Sequence, residues 1–166
     1  MTNFDQEFET AIRFISEKFG QETDLSKPTL IHCLRVGISL YNSGYSKEIC
    51  IGALLHDVIE DTETTEQEIA NLFGDKIAKL VKVNSKDPSI EDKKLRSETL
   101  IKNCATHSLE SAIIKAADIL DNINYYKKIG NSENFDTMIS RAMMLLKEKN
   151  PEFKDKIFEE LANATS

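Results

Sequence analysis

Apolar residues recur at intervals of three and four along almost the entire chain, and this periodicity restricts the fold more than any other feature. Phe4, Phe8, Ile12 and Ile15 set the pattern at the start of the sequence. Such spacing gives each helix one apolar stripe, and no segment shows the sustained alternation of a half-buried strand. The sequence therefore predicts an all-α fold, a bundle of roughly eight to ten helices. With 166 residues and no internal repeat, a single domain over 1–166 is expected.

Capping residues and helix breakers set the predicted boundaries. The first helix covers 4–19 and ends at Gly20, and the second is capped by Ser26 with Pro28 in its first turn. A third helix, capped by Ser46, is predicted to run into residues 52–62, and a capping box at 65–68 starts the next helix, which a break at Gly74 ends. After a loop at 84–88, one helix is predicted from near Ser89 to about Ala105 and another from Ile113 to about Lys128. An apolar stripe at 138–146 and a last helix that begins at Pro151 complete the prediction.

Residues 52–62 concentrate side chains that bind metals or transfer protons. His56, Asp57, Glu60 and Asp61 lie within six positions of one another, directly after an apolar run. On a continuous helix these four positions share a wedge of about 140°. Crowding three carboxylates raises their pKa values unless a cation lies among them. The segment therefore indicates a site for a divalent metal.

Two residues elsewhere in the chain are candidates for further metal ligands. His32 lies on an apolar helix, where it is either a ligand or a hydrogen-bonded core residue. Asp118 interrupts the apolar run 112–120, where an unpaired carboxylate costs several kcal/mol. Asp118 either pairs with Lys115, one turn earlier, or completes a metal shell. A shell of imidazoles and carboxylates suits Mn²⁺, Fe²⁺, Zn²⁺ or Mg²⁺.

Charge and cysteine content limit the partners and the compartment. The formal net charge of −7 argues against a general nucleic-acid binder. Residues 76–96 are the exception, since seven cations and three carboxylates give this segment +4. The segment either attracts a phosphorylated small molecule or forms a solvated helix face. Cys33, Cys50 and Cys104 read as buried free thiols of a cytoplasmic protein, and neither a leader peptide nor a membrane span is expected.

The residues described so far carry a resemblance to a known family. His32, then the His56-Asp57 pair, then Asp118 resembles the signature of the HD-domain metal-dependent phosphohydrolases. Residues 55–62 read Leu-His-Asp-Val-Ile-Glu-Asp-Thr, and with Asn122 they are most similar to the hydrolase domain of RelA/SpoT-type alarmone enzymes. The resemblance covers roughly 26–126 and implies an HD-domain helical bundle. It also implies that the protein uses Mn²⁺ to remove the 3′-pyrophosphate from ppGpp and pppGpp.

The resemblance also implies a role for each matching residue. His32, His56, Asp57 and Asp118 would hold the metal, which would bind a phosphate oxygen and lower the pKa of a water molecule. Glu60 and Asp61 would orient that water and handle its proton. Asn122 would contact the sugar of the substrate. Lys115 would contact a phosphate or support the site, unless it only forms a surface salt bridge.

The chain departs from this family around the nucleobase site. Alarmone hydrolases carry an Arg-Lys pair and a Pro-Tyr pair before the first histidine. Thr23 and Asp24 occupy the Arg-Lys positions, and Thr29 replaces the tyrosine while Pro28 is kept. After Asp118 the family has Arg-Leu-His-Asn, where this chain has Ile-Leu-Asp-Asn. Lys27 and Arg35 are the remaining substrate-binding candidates, and either would substitute for the missing basic pair.

Three functions follow from these observations. The leading one is a stand-alone hydrolase of ppGpp-type nucleotides. The altered nucleobase site favours a second, in which the same metal chemistry acts on another nucleotide or phosphate ester. A third is a non-catalytic HD module that binds a nucleotide, although such a module has no need of Glu60 and Asp61. Oligomerisation through the amphipathic helices at 131–163 is left open.

Overall fold

The computed structural model describes residues 3–20 and 28–166, and within these ranges the protein is all-α without a strand. The predicted fold class is therefore confirmed. The ten helices of the described residues are α1 (Phe4–Phe19), α2 (Thr29–Asn42), α3 (Lys47–Leu55), α4 (Val58–Asp61), α5 (Glu66–Phe73), α6 (Asp75–Val83), α7 (Lys93–His107), α8 (Leu109–Ile129), α9 (Ser132–Glu148) and α10 (Lys156–Ala164).

The helices fall into two compact units, one ending at Ser85 and the other beginning at Lys86. In the first unit, α3 packs against α1, α2 and α6, and α5 packs against α6. All seven residues from Ile49 to Leu55 are buried, so α3 is the central helix of this unit. The single domain expected over 1–166 stays a prediction.

A glycine permits the close approach of α2 and α3. A Cβ atom at Gly37 would lie 2.5 Å from Cγ and Cδ2 of Leu54, far inside van der Waals contact. Leu54 is fully buried and lies in the last turn of α3. Because His32 lies on α2 and His56 directly follows α3, this contact sets how near the two histidines can come.

The second unit is built around its longest helix, α8, which packs against α7, α9 and α10. Seven consecutive residues of α8, from Ser111 to Ala117, are buried. Its start is fixed by a capping box, in which Ser108 and Ser111 satisfy each other's backbone N–H groups. Gly130, in the left-handed conformation with φ of 70°, ends the helix close to the predicted end at Lys128.

Three predicted helix starts in the second unit are wrong. Instead of beginning near Ser89, α7 begins at Lys93, where the Asp92 side chain accepts a hydrogen bond from Leu95 N. Because Ser108 supplies a cap, α8 begins before Ile113. The last helix begins at Lys156 after the cap Asp155, and Pro151 lies in a turn. In each case the capping side chain determined the start more strongly than the apolar pattern or the proline.

Most of the predicted boundaries in the first unit are confirmed. The bounds of α1 are those predicted, with Asn3 as its cap. Pro28 precedes α2 directly and is not inside its first turn, and the predicted cap Ser26 lies outside the described residues. Thr65 caps α5 by accepting a hydrogen bond from Glu68 N. A φ of 90° at Gly74 separates α5 from α6.

The cysteines are free and buried, as expected. Burial raises the pKa of Cys50 to about 12, so its thiol carries no charge at neutral pH. Among the described residues, every helix is too short or too polar to cross a bilayer.

Candidate metal centre

The segment that carries His56 and Asp57 is not a continuous helix, so the predicted 140° wedge is wrong. α3 ends at Leu55, and His56 and Asp57 form a turn before the four-residue helix α4. Asp57 has φ of −95° and ψ of −6°, outside the α-helical well. His56 Nδ1 lies 2.7 Å from the carbonyl oxygen of Ala53. That carbonyl is the one an unbroken helix would pair with Asp57 N–H, so the imidazole competes with the helix.

The turn brings three of the predicted metal ligands together in the first unit. Nε2 of His32 and Nε2 of His56 are 3.2 Å apart. The Asp57 carboxylate places Oδ1 3.4 Å from His56 Nε2 and Oδ2 3.8 Å from His32 Nε2. Both imidazoles are buried, while the Asp57 side chain keeps 14% of its surface exposed. Two nitrogen atoms and a carboxylate therefore converge on one small volume.

The protonation state of His56 fits this arrangement. A carbonyl oxygen can only accept a hydrogen bond, so Nδ1 of His56 carries the proton in the contact with Ala53. In the neutral ring the lone pair is then on Nε2, the atom that faces His32. Metal-binding histidines commonly donate their second N–H to a carbonyl in this way.

The spacing of these atoms also fits a divalent cation. With metal–ligand bonds of about 2.1 Å, neighbouring ligand atoms lie about 3.0 Å apart in an octahedron and about 3.4 Å apart in a tetrahedron. The observed separations of 3.2, 3.4 and 3.8 Å are close to these values. The donor set of His32, His56 and Asp57 suits a borderline or hard first-row ion.

Cys33 is the neighbour of this cluster that the sequence did not reveal. Its Sγ and ligand atoms of His56 and Asp57 all lie within 4.8 Å of one another. The sequence prediction of a buried thiol at Cys33 is confirmed, but its proximity to the cluster depends on how α2 packs against α3. The only sequence signal was its position next to His32.

The acidic residues after the turn lie on α4. Glu60 and Asp61 are half-buried, and Asp61 N–H donates to the Asp57 carbonyl at 3.0 Å. Thr62 ends the helix, since its hydroxyl donates to Val58 O at 2.6 Å. The hydrogen bond from Thr62 to Val58 thus fixes the backbone that follows Glu60 and Asp61.

Asp118 lies on α8 in the second unit and is held by two side chains of that helix. Lys115 Nζ donates to Asp118 Oδ2 at 2.9 Å, and Asn122 Nδ2 donates to Oδ1 at 2.7 Å. Lys115 and Asn122 are buried, so the surface salt bridge considered for Lys115 is instead a buried one. The role of Asp118 as a metal ligand stays a prediction.

The predicted substrate contacts are only partly described. Arg35 is half-buried on α2, one turn after His32. Thr29, at the position of the family's tyrosine, is buried with 2% of its surface exposed. Lys27, Thr23 and Asp24 lie outside the described residues. The sugar contact of Asn122 and the phosphate contact of Lys115 stay predictions.

Comparison with known proteins identifies the class of protein. A model of the HD domain matches residues 8–143, a wider range than the predicted 26–126. The chain therefore belongs to the HD-domain family.

Within that family, the chain is similar to alarmone hydrolases. It is 37% identical to the guanosine-3′,5′-bis(diphosphate) 3′-pyrophosphohydrolase of Aquifex aeolicus, over 71% of this chain and 17% of that protein. It is 40% identical to the Drosophila melanogaster enzyme of the same name, MESH1, over 64% of this chain and 58% of that protein. This chain thus matches less than two thirds of the length of either relative.

A solved structure supports the fold. The chain matches a metazoan ortholog of SpoT, a protein described as hydrolysing ppGpp, with a TM-score of 0.80. The match covers 99% of this chain and 96% of that protein at 24% sequence identity. At this identity, the likeness establishes the HD-domain fold.

Proposed function

We propose that this protein is a metal-dependent phosphohydrolase that removes the 3′-pyrophosphate from ppGpp and pppGpp. The main support is the approach of His32 Nε2 to His56 Nε2 at 3.2 Å, with the Asp57 carboxylate beside both. Three converging donors with one imidazole locked by a carbonyl suit metal binding better than core packing. The named relatives supply the substrate class.

The ligand set proposed here is His32, His56, Asp57 and Asp118, with Mn²⁺ as the first choice and Fe²⁺, Zn²⁺ or Mg²⁺ as alternatives. A bound divalent cation supplies positive charge that polarises a phosphoryl oxygen and makes water more acidic. Lys115 and Asn122 position the Asp118 carboxylate, because they engage one oxygen each.

Glu60 and Asp61 handle the proton in this mechanism. The oxygen of a water molecule attacks the phosphorus atom that is attached to the ribose 3′-oxygen. The bond between that phosphorus atom and the 3′-oxygen breaks. One of the two carboxylates accepts the proton of the water and passes it to the leaving 3′-oxygen. The half-burial of Glu60 and Asp61 suits this role, since it lets water reach both acids.

A second candidate is hydrolysis of another nucleotide or phosphate ester by the same centre. Thr29 is short and buried, so it offers no aromatic face to a nucleobase. Asp121 brings a carboxylate to a position where alarmone hydrolases have histidine. Both changes weaken the case for recognition of guanine and leave the metal chemistry intact.

The test is hydrolysis by the purified protein, with and without Mn²⁺, of ppGpp and a panel of nucleoside monophosphates, cyclic nucleotides and other phosphate esters. We expect pyrophosphate release from ppGpp that a chelator abolishes and Mn²⁺ restores. Turnover of another compound with ppGpp inert would support the second candidate. Binding without turnover of any compound would exclude both and leave the non-catalytic module.

We also propose a cytoplasmic location, because three buried free thiols suit a reducing compartment. The proposed partner is a small nucleotide, and the net charge of −7 disfavours stable binding of nucleic acid.

A further inference from the structure

A cavity of about 360 Å³ opens between α7 and α9 in the second unit. This is within the usual size range of small-molecule clefts, about 300–1,000 Å³. Its lining comprises Lys93, Lys94, Ser97, Glu98, Ile101, Thr137, Ser140, Arg141 and Met144. None of these residues belongs to the metal-site or substrate-site candidates, and α8, which carries Asp118, contributes no residue to the lining.

The charges around this cavity favour an anion. Three cations and one carboxylate give its lining a net charge of +2. Among the described residues, Lys93 and Arg141 have no carboxylate within 4.0 Å. Lys94 reaches Glu98 only at 4.0 Å, with 87% of the lysine side chain exposed. A phosphate monoester carries −1.5 to −2 at neutral pH, which this lining would neutralise.

The inner surface of the cavity favours an apolar body attached to that anion. Two apolar side chains belong to the lining: Ile101, which is 3% exposed, and Met144, which is half-buried. The hydroxyls of Thr137 and Ser140 donate to Glu133 O and Asp136 O on their own helix. Their oxygen atoms are therefore available as acceptors for N–H or O–H groups of a ligand.

Two of the three cations of the lining lie at the start of α7. Lys93 and Lys94 occupy its first turn, which contains no acidic residue. Cations at the positive end of the helix dipole destabilise a helix. By contrast, α1 has Asp5 and Glu7 in its first turn. The Asp92 cap supplies one carboxylate there, and a bound anion would offset the charge of the two lysines further.

We propose that the cavity between α7 and α9 is a binding site for a phosphate monoester with an apolar body, such as a nucleoside monophosphate. The phosphate lies among Lys93, Lys94 and Arg141 at the rim, and the apolar body covers Ile101 and Met144. The proposed ligand would bind the carboxyl-terminal end of the basic segment 76–96, where Lys93 and Lys94 lie. The inference does not depend on the proposed hydrolysis.

The experiment is calorimetric titration of the full-length, chelator-treated protein with guanosine 5′-monophosphate, guanosine and inorganic phosphate. Chelation removes any binding that needs a metal. Arg141→Gln and Lys94→Gln are compared with the control Lys102→Gln, which changes an exposed lysine of α7 outside the lining. Circular dichroism melting of each variant shows that it is folded.

We expect the monophosphate to bind more tightly than either guanosine or phosphate. Arg141→Gln should weaken it at least tenfold and Lys94→Gln by less, while Lys102→Gln should have no effect. Raising the salt concentration should also weaken binding of the monophosphate to the wild-type protein, because salt screens the charges of the lining. Equal affinity for guanosine and its monophosphate, unchanged affinity of Arg141→Gln for the monophosphate, or no saturable binding by the chelator-treated wild-type protein would overturn the proposal.

Discussion

Two of the three places that supply the predicted metal ligands hold their side chains in opposite ways. His56 and Asp57 lie at an interruption between α3 and α4, and a backbone carbonyl orients the imidazole at 2.7 Å. Asp118 lies inside the unbroken helix α8, and side chains three residues before and four residues after it orient its carboxylate. In this protein the two predicted ligands that are adjacent in sequence lie where the helix is interrupted, whereas the single ligand Asp118 is oriented by side chains of its own helix.

This difference has an energetic consequence. When the His56 imidazole is removed, Asp57 N–H is the group that could donate to the Ala53 carbonyl instead, as it would in a continuous helix. The Asp118 carboxylate loses a buried partner when Lys115 or Asn122 is changed. Substitutions at the turn should therefore act mainly on metal binding, and those around Asp118 should act on stability as well.

His56→Ala tests the turn and should have the largest effect. Removing this imidazole should abolish metal binding and lower hydrolysis by more than about a thousandfold, well beyond what the loss of stability from truncating a buried side chain explains. Metal content by mass spectrometry and pyrophosphate release are the measurements. Glu63→Ala is the matched control, because Glu63 is an exposed acid of the same segment. Full activity of metal-free His56→Ala would refute the proposed chemistry.

Lys115→Met tests the helical arrangement. The Lys115–Asp118 pair spans 2.9 Å, with 6% and 13% of the two side chains exposed. Removing one partner of a buried pair leaves the other charge uncompensated, so we expect a loss of about 3 kcal/mol in the free energy of unfolding.

The double variant Lys115→Met with Asp118→Asn sharpens this test. It removes both charges, so its loss in urea denaturation should be smaller than the sum of the single losses. Additive losses would mean that the two side chains do not interact in solution.

The sequence predicted the presence of the helices better than it predicted the breaks between them. The bounds of α1 could be read directly because Asn3 and Gly20 flank a regular apolar stripe. The break at His56 could not, because no glycine or proline marks it and its cause is a hydrogen bond from a side chain. The late start of α10 shows the same effect, since Asp155 and not Pro151 provides the cap.

The candidate site divides in the same way. The identities of His32, His56 and Asp57 followed from a motif whose chemistry requires those residue types. The position of Cys33 beside them did not, because it depends on the packing of α2 against α3. A pattern along the chain contains no direct information about distances between helices.

Gly37→Ala tests that packing. The added methyl group would meet Leu54 at 2.5 Å, so α2 and α3 must separate or Leu54 must change its rotamer. We expect a loss of about 2 kcal/mol in thermal unfolding, as for other overpacked cores. Weaker metal binding should accompany it, because His32 would move away from His56. Ser39→Ala, at an exposed position of the same helix, should change neither property.

Asn122→Ala should have the smallest effect and separates support of Asp118 from contact with substrate. The amide donates to Asp118 Oδ1 at 2.7 Å and to its carbonyl at 3.0 Å, so its loss should cost about 1 to 2 kcal/mol in urea denaturation. If the amide only positions Asp118, metal affinity should fall about tenfold and KM should stay unchanged once the metal is saturating. A higher KM at saturating metal, with stability unchanged, would instead assign Asn122 to the substrate's sugar.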